Sequence, residues 1–324
     1  MDHELPNLSV HQLLYVREAA RAPTWTEAAR RLGVSQSALS QGVAEVERRL
    51  DVTLFDRRGR HRLGTQELQA VLPIAEQVLA ATDDLTRHLA ELATGRRGIV
   101  RIGMIDTAAL GTLAGPLALF RAQNPEVRTT LVVESSVPLA EKVATGTLDL
   151  AVAVVPNPVI DANPTRFDVR IVAEEPIHVY APTAKEAQAD PTRWGPWVSY
   201  PHGSQTRRLI EQALIARGVT PSVVAESSNP DVLRQMVRLG VGWCAMPRDV
   251  AEAGIDAAST PTTSNDQPGM CRVSGPPLTH RTIALVRRRD ALPNGAVEAL
   301  VELITQTNQG ASVKRPKATR GRPA

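Results

Sequence analysis

Between Thr24 and Arg58 the chain spells out two helices joined by a turn too short to let them separate, and this order constrains the fold more than any other stretch. Thr26 is placed to cap the first helix, and Ala28, Ala29 and Leu32 give it an apolar face. Gly33 ends it, because glycine takes the left-handed conformation a helix stop requires. Ser35 caps the second helix, in which Leu39, Val43, Val46 and Leu50 fall at i, i+4, i+7 and i+11 and form one buried stripe. Gln36, Ser37, Ser40 and Gln41 share another face. They are short or planar hydrogen-bonding groups without net charge. Such groups suit base edges in a major groove, where Gln pairs with adenine and Ser serves either partner. The unit reads as a helix-turn-helix with this face toward DNA; one by one, the same residues describe the wet side of any amphipathic helix. Arg57, Arg58, Arg60, His61 and Arg62 follow, with Gly59 among them. After such a motif the cluster reads as a wing carrying cations to phosphates or a minor groove; the bland alternative is a solvated charged loop.

On either side the pattern stays helical. Ser9 to Gln12 forms a capping box opening a first helix with Leu13, Val16 and Ala20 on one face. Residues 66–94 read as one long helix. Leu68, Val71, Ala75, Val78, Thr82, Leu85, Leu89 and Leu92 recur in alternating steps of three and four, an a/d heptad seam. Beside a DNA reader, this seam predicts a homodimer through paired helices, since two-fold proteins match inverted-repeat operators; packing on its own chain is the other use. Thr82 weakens the seam, and Pro73 kinks the helix or marks its firm start. Residues 94–98 read as a hinge.

From Ile99 onward strand and helix patterns alternate, predicting parallel sheets with crossover helices. Strands at 100–105, 127–133 and 148–154 alternate with helices at 108–123 and 139–144. A related order recurs with strands at 197–200, 222–225 and 241–246 and helices at 205–217 and 231–239. Two similar α/β subdomains follow, joined by crossing segments expected at 156–164 and 286–293, with a last helix at 295–307. Ligands of open α/β sheets bind beyond the carboxyl ends of strands, and two facing halves set those ends across a cleft. Thr107 follows the first strand of one half; His202, Gly203 and Ser204 hold the same place in the other. Helix N-termini there favour a carboxylate or other small anion.

The N-terminal segment resembles the DNA-binding domain of LysR-type transcriptional regulators. The resemblance is carried by Trp25-Thr26-Glu27-Ala28-Ala29, by Val34-Ser35-Gln36-Ser37-Ala38-Leu39-Ser40 and by Leu54-Phe55-Asp56-Arg57. Ser37 stands where that family often has Pro, and Asp51 where it often has Gly. Gly42 lies inside the recognition helix and is expected to loosen it by up to ~1 kcal/mol relative to Ala. The downstream layout resembles the effector domain of the same family, a relative of type-2 periplasmic binding proteins, through Val100-Arg-Ile-Gly103, Leu148-Asp149-Leu150-Ala151 and Gly240-Val241-Gly242. Together the resemblance spans about residues 5–305. It implies an α/β multidomain chain. Its parts are a winged helix-turn-helix at 1–65, a linker and dimerisation helix at 66–96, an effector domain at 97–310 and a basic disordered tail at 311–324. The effector domain divides into subdomain I (97–160 and 288–310) and subdomain II (161–287). The candidate DNA-binding set is Thr26, Gln36, Ser37, Ser40, Gln41, Arg57, Arg58, Arg60 and Arg62. Effector-pocket residues carried over from the family fall on Thr107, Ser136, Pro201 and His202, with Ser135, Gly203 and Ser204 close by; as residues alone, Thr107 and Ser204 are equally N-caps. The resemblance also implies assembly of dimers into a homotetramer, and RNA polymerase as a further partner.

Charge supports a local rather than global DNA surface. The chain carries +3, yet its last residues, with Lys314, Arg315, Lys317, Arg320 and Arg322 and no acid after 310, supply +5, so the remainder is net acidic. Arg320-Gly321-Arg322-Pro323 resembles a minor-groove hook, a weak signal in a tail whose simpler role is solvation. Cys244 and Cys271 make no disulfide framework; Cys244 sits in an apolar run as a small buried hydrophobe. The acidic start and the lack of any long apolar run predict neither signal peptide nor membrane span, hence a cytoplasmic, nucleoid-associated protein. No phosphate loop, dinucleotide fingerprint, nucleophile elbow or His-Glu-x-x-His appears, and the His are dispersed. A non-enzymatic protein without metal or cofactor is expected. An α/β enzyme behind a DNA-binding domain would turn over a small molecule, and an architectural DNA protein would ignore one.

Overall fold

The computed structural model describes residues 6–56, 63–94, 98–110, 112–252 and 269–312. The chain divides into two compact units, the first made of residues 1–94 with the short stretches 144–147 and 290–292, the second of the remainder.

The first unit is built from helices α1 (Val10–Arg21), α2 (Trp25–Leu32) and α3 (Gln36–Leu50), the hairpin strands β1 (Phe55–Asp56) and β2 (Leu63–Gly64), and the long helix α4 (Gln66–Thr94). Each of α1 to α3 starts where the sequence supplies an acceptor. Ser9 and Gln12 form a reciprocal capping box on α1, and the Ser35 hydroxyl accepts from the Ala38 N–H on α3. The cap of α2 is Thr24, not Thr26: the Thr24 side chain accepts from the Glu27 N–H, which leaves Thr26 within the first turn. Gly33 closes α2 at φ 67°, the left-handed geometry expected of it. Asp51 takes the same conformation at the end of α3 with φ 52°, where a side chain carries a steric cost.

Leu39, Val43 and Val46 are fully buried and meet Val16, Ala19, Ala28, Ala29, Leu54 and Phe55 in one core. Burying each of the α3 side chains contributes about 1.5–3 kcal/mol. The expectation that Gly42 simply loosens α3 is corrected by its surroundings. A Cβ there would lie 2.3 Å from Cδ2 of Tyr15, so the bare backbone is what lets the Tyr15 ring of α1 lie against α3. The α4 seam also divides. Leu68 and Val71 are taken into the core of their own unit and Ala75 is buried, whereas Val78, Leu85 and Leu89 are exposed. The side chain of Leu92 lies outside the described residues. Pro73 sits inside α4 without ending it.

The second unit contains β3 (Ile99–Met104), α5 (Asp106–Leu110), α6 (Ala114–Gln123), β4 (Arg128–Val133), α7 (Ser136–Ala144), β5 (Leu150–Val155), α8 (Pro158–Ala162) and β6 (Phe167–Ala181). It continues with β7 (Trp197–Ser199), α9 (Gln205–Ile215), β8 (Val223–Glu226), α10 (Pro230–Arg238), β9 (Cys244–Pro247), α11 (Arg248–Ala251), β10 (Cys271–Arg272), β11 (Thr279–Arg288) and α12 (Gly295–Ser312). β3 lies parallel to both β4 and β5, as apolar strands joined by crossover helices require. β7 and β8 make a second, parallel pair.

The crossing elements differ from those read off the sequence. Residues 158–162 of the expected first crossing form α8, and the crossing is made instead by the long strands β6 and β11, antiparallel to one another. β11 also pairs with β5, while the far end of β6 pairs with β9 and β10. One sheet therefore runs through both lobes of the unit. The second lobe has its own core around Trp197, Trp243, Ile210, Leu233 and Val237.

Candidate functional site

Two groups of polar side chains stand out, one in each unit. On α3, Gln36, Ser37 and Gln41 are exposed and Ser40 is half-buried, so the predicted reading face is outward. Thr26, also exposed, donates its hydroxyl to Oε1 of Gln36 at 3.1 Å. This bond ties the first turn of α2 to the first turn of α3 and restrains the Gln36 amide. Ser37 and Ser35 hydroxyls are 3.0 Å apart. Behind the face, Oε1 of Glu47 accepts from the N–H groups of Leu54 and Phe55 and anchors the start of the hairpin to α3. Trp25 meets Phe55 edge-on at 5.5 Å. Arg57, Arg58, Arg60 and Arg62 lie outside the described residues. The nearby helix cations are internally matched. Arg30 and Arg31 both bond Glu27, and Arg48 and Arg49 both bond Glu45. These bonds hold each of the two carboxyls down at about 2, led by hydrogen bonds from Arg30 and Arg48.

In the second unit the sequence candidates separate. Thr107 is buried in the first turn of α5, and its hydroxyl accepts from Nη2 of Arg281 at 2.6 Å. Ser136 is buried at the start of α7, but its hydroxyl accepts from the Val154 N–H and its carbonyl from the Asn157 amide, so it braces β5 and α8. Ser135, His202 and Gly203 are exposed and Pro201 is half-buried. The His202 N–H donates to Glu226, Gly203 turns the chain at φ 87°, and Ser204 caps α9. Of the predicted set, only Thr107 joins the group of buried polar side chains around Arg281.

The centre of that group is a residue the sequence reading passed over. The Arg281 side chain is 1% exposed. It stands directly opposite Glu175 where β11 crosses β6. Its Nε and Nη2 donate to Oε2 of Glu175 at 2.9 and 2.6 Å, and Nη1 donates to the Thr206 hydroxyl at 3.1 Å. One guanidinium thus ties both crossing strands to the first turns of α5 and α9. Two more buried polar residues lie close by in the chain: Tyr200, just after β7, and Gln205, the first residue of α9 and the one before Thr206. Among the described residues neither the Tyr200 hydroxyl nor Oε1 of Gln205 has a hydrogen-bond partner. Burial pushes the Tyr200 hydroxyl up, and the charge of Arg281 opposes this while those of Glu175 and Asp106 add to it. Asp106, next to Thr107, is half-buried, and burial raises its carboxyl.

Both units match described sequence families. Residues 10–67 match "Bacterial regulatory helix-turn-helix protein, lysR family", and residues 93–309 match "LysR substrate binding domain". The chain belongs to the LysR family of transcriptional regulators. In this LysR-type regulator the DNA-binding helix-turn-helix lies in the first unit, and the match to the substrate-binding, or effector, domain covers nearly all of the second. It is 31% identical over 244 residues to the HTH-type transcriptional regulator cbl of Klebsiella aerogenes, covering 72% of this chain and 76% of that protein. Its fold is shared by a full-length variant of OxyR from Pseudomonas aeruginosa (TM-score 0.54, 21% identity, 92% and 95% of the two chains). Full-length CbnR complexed with its target DNA shares it too (TM-score 0.52, 19% identity, 93% and 100%).

The two cysteines of the regulator are not a disulfide pair. Cys244 lies opposite Tyr180 on β9 and Cys271 opposite Ala181 on β10, on the two sides of β6. Two strand spacings of about 4.8 Å put them beyond the reach of an S–S bond. Burial raises the thiol of each. Among the described residues no three His, Cys, Asp or Glu side chains are grouped to hold a metal, and no helix is long and apolar enough to cross a membrane.

Proposed function

We propose that this LysR-type regulator is a homodimer that reads an inverted-repeat operator in double-stranded DNA and changes its grip when a small polar effector binds between the two lobes of the second unit. The observation that carries the DNA half is the outward, uncharged face of α3, with Gln36 held by Thr26 and joined by Ser37, Ser40 and Gln41. Arg57, Arg58, Arg60 and Arg62 supply phosphate contacts that add affinity to every sequence alike. CbnR, of the same fold, is seen complexed with its target DNA.

Dimerisation falls to the exposed half of the seam. Val78, Leu85 and Leu89 lie on one side of α4 and leave apolar surface in water unless a second copy covers it. Two dimers assemble into a tetramer, and RNA polymerase is the further partner at the promoter, in the cytoplasm at the nucleoid. The effector is bound without turnover. A carboxylate or other anionic group on the effector, as expected from the sequence, would be received by the first turn of α9 and by the Thr107 and Thr206 hydroxyls. Binding there changes lobe closure only if the effector prefers one closure over the other.

Replacing Val78, Leu85 and Leu89 together by Ser tests the dimer. Sedimentation should show the chain shifting to monomer, with loss of cooperative protection of both half-sites in footprinting. Retention of the dimer would rule the exposed seam out as its interface.

A further inference from the structure

The effector reading leaves open what charge the ligand carries, and the buried cluster bears on this directly. Among the described residues Arg281 is the cation bonded within it, and its charge is already matched by Glu175 through two hydrogen bonds to a single oxygen, Oε2. Its remaining contacts go to Thr107 and Thr206. An incoming anion therefore meets no unmatched guanidinium from Arg281. On the acidic side the charges are not balanced. The Asp106 carboxyl, at the turn that carries Thr107, has no bond from any cation among the described residues and is poorly solvated. The second oxygen of Glu175, Oε1, is not used by Arg281. Among the described residues Oε1 of Gln205 is buried and without a donor, and the buried Tyr200 hydroxyl, which lies within the field of Arg281, Glu175 and Asp106, is also unpartnered.

Buried polar atoms without partners are rare in folded proteins, and two of them, on Tyr200 and Gln205, beside one charge cluster mark a place completed by something else. The chemistry missing here is donor chemistry. One positive charge would balance Asp106, an N–H group would satisfy Gln205, and Oε1 of Glu175, which Arg281 does not use, can accept another. A bare carboxylate supplies neither and would bury a second uncompensated negative charge. The Thr107 and Thr206 hydroxyls accept from Arg281 and keep their own hydrogens to donate, so a carboxylate is tolerated as a second group on the same molecule.

We propose that the effector of this regulator carries a protonated amine, recognised by Asp106, Glu175 and Gln205 with Tyr200 as its polar neighbour, so that small amines and amino acids are ligands and their deaminated acids are not. This rests on the reading of the second unit as effector-binding and adds a charge requirement to it.

The test uses the full-length protein and three matched arms. They are the common L-amino acids, the acids in which hydrogen replaces the α-amino group, and the amines in which hydrogen replaces the α-carboxylate. Thermal shift finds ligands and calorimetry measures them. The expected result is binding confined to the amine-bearing arms. Asp106→Asn should weaken the best ligand by about tenfold or more, the size expected for a lost charged hydrogen bond. Tyr200→Phe, which removes only a hydroxyl without a partner, should weaken it by less. Binding of deaminated acids as tightly as their amine counterparts would overturn the charge requirement while leaving the effector cleft in place. So would an amine whose affinity neither substitution changes. Silence in all three arms would count against the cleft reading as well as this one.

Discussion

The two polar groups of this regulator are built in opposite ways. The α3 face is contiguous and exposed: Gln36, Ser37, Ser40 and Gln41 come from one helix and meet solvent, with Thr26 ten residues upstream as their brace. The Arg281 cluster is dispersed and buried, gathering Thr107, Glu175, Thr206 and Arg281 from four segments of the chain. A reader of a large external ligand needs reach and spare hydrogen bonds. A receptor for a small one needs a charge balance fixed in advance in a place that excludes water. The contrast predicts that substitutions at the first group change affinity and spare stability, whereas those at the second change both.

The largest effect is expected at Arg281. Arg281→Met leaves Glu175 as a mostly buried carboxylate without its partner, which costs about 3–5 kcal/mol in denaturant unfolding of the second unit. The double substitution Arg281→Met with Glu175→Leu should recover most of that loss, because an apolar pair of similar volume avoids the desolvation of both ions. If the double variant is no more stable than the single one, the pair is not the counter-charge it is taken to be.

Next in size is Gly42. Helix propensity alone predicts that Gly42→Ala stiffens α3 and stabilises it. The 2.3 Å approach of Tyr15 predicts the reverse, a loss of about 1–3 kcal/mol from overpacking, seen as a lower melting temperature of the first unit. A smaller partner, Tyr15→Leu, should reverse the sign.

The smallest effect sharpens the comparison from the side of pH. The folded carboxyl of Asp106 is raised by burial, so the folded state binds its proton more tightly than the unfolded one. The cost of burying this carboxylate is thus present at neutral pH. It fades as pH falls through the folded value and is gone below the unfolded value of about 3.9. Asp106→Asn should raise the melting temperature of the ligand-free protein at pH 7 and leave it unchanged near pH 3. A fall at pH 7 would mean that the carboxylate has a stabilising partner.

How much the sequence reveals follows the same divide. The first unit is legible because its signals are local: caps at Ser9 and Ser35, a stop at Gly33 and a stripe of period 3.6 all lie within a few residues of what they control. Thr24 and Thr26 compete for one cap two residues apart, and pattern alone cannot separate them. Gly42 is misjudged for a related reason, since propensity knows the helix but not the ring of Tyr15 packed on it. In the second unit the alternation of strands and helices is readable, yet β6 and β11 are not recognised as the crossing strands. Their pairing joins residues more than a hundred positions apart. Thr107 is findable as the residue following a strand. Arg281 is not, because a lone Arg at the start of an apolar run looks like a strand edge until Glu175 is brought opposite it. The available hint is the run Thr282 to Val286, which makes a neighbouring charge expensive unless paired.

The central claim, that α3 reads DNA sequence through Gln36, is tested most directly by selecting bound sites from random duplex DNA with the full-length protein and with Gln36→Ala. The wild type should enrich an inverted repeat. The variant should lose preference at one symmetric base position in each half-site, with about 1–3 kcal/mol of specific affinity gone and non-specific binding unchanged. Recovery of the same motif with undiminished preference by both proteins would contradict the account.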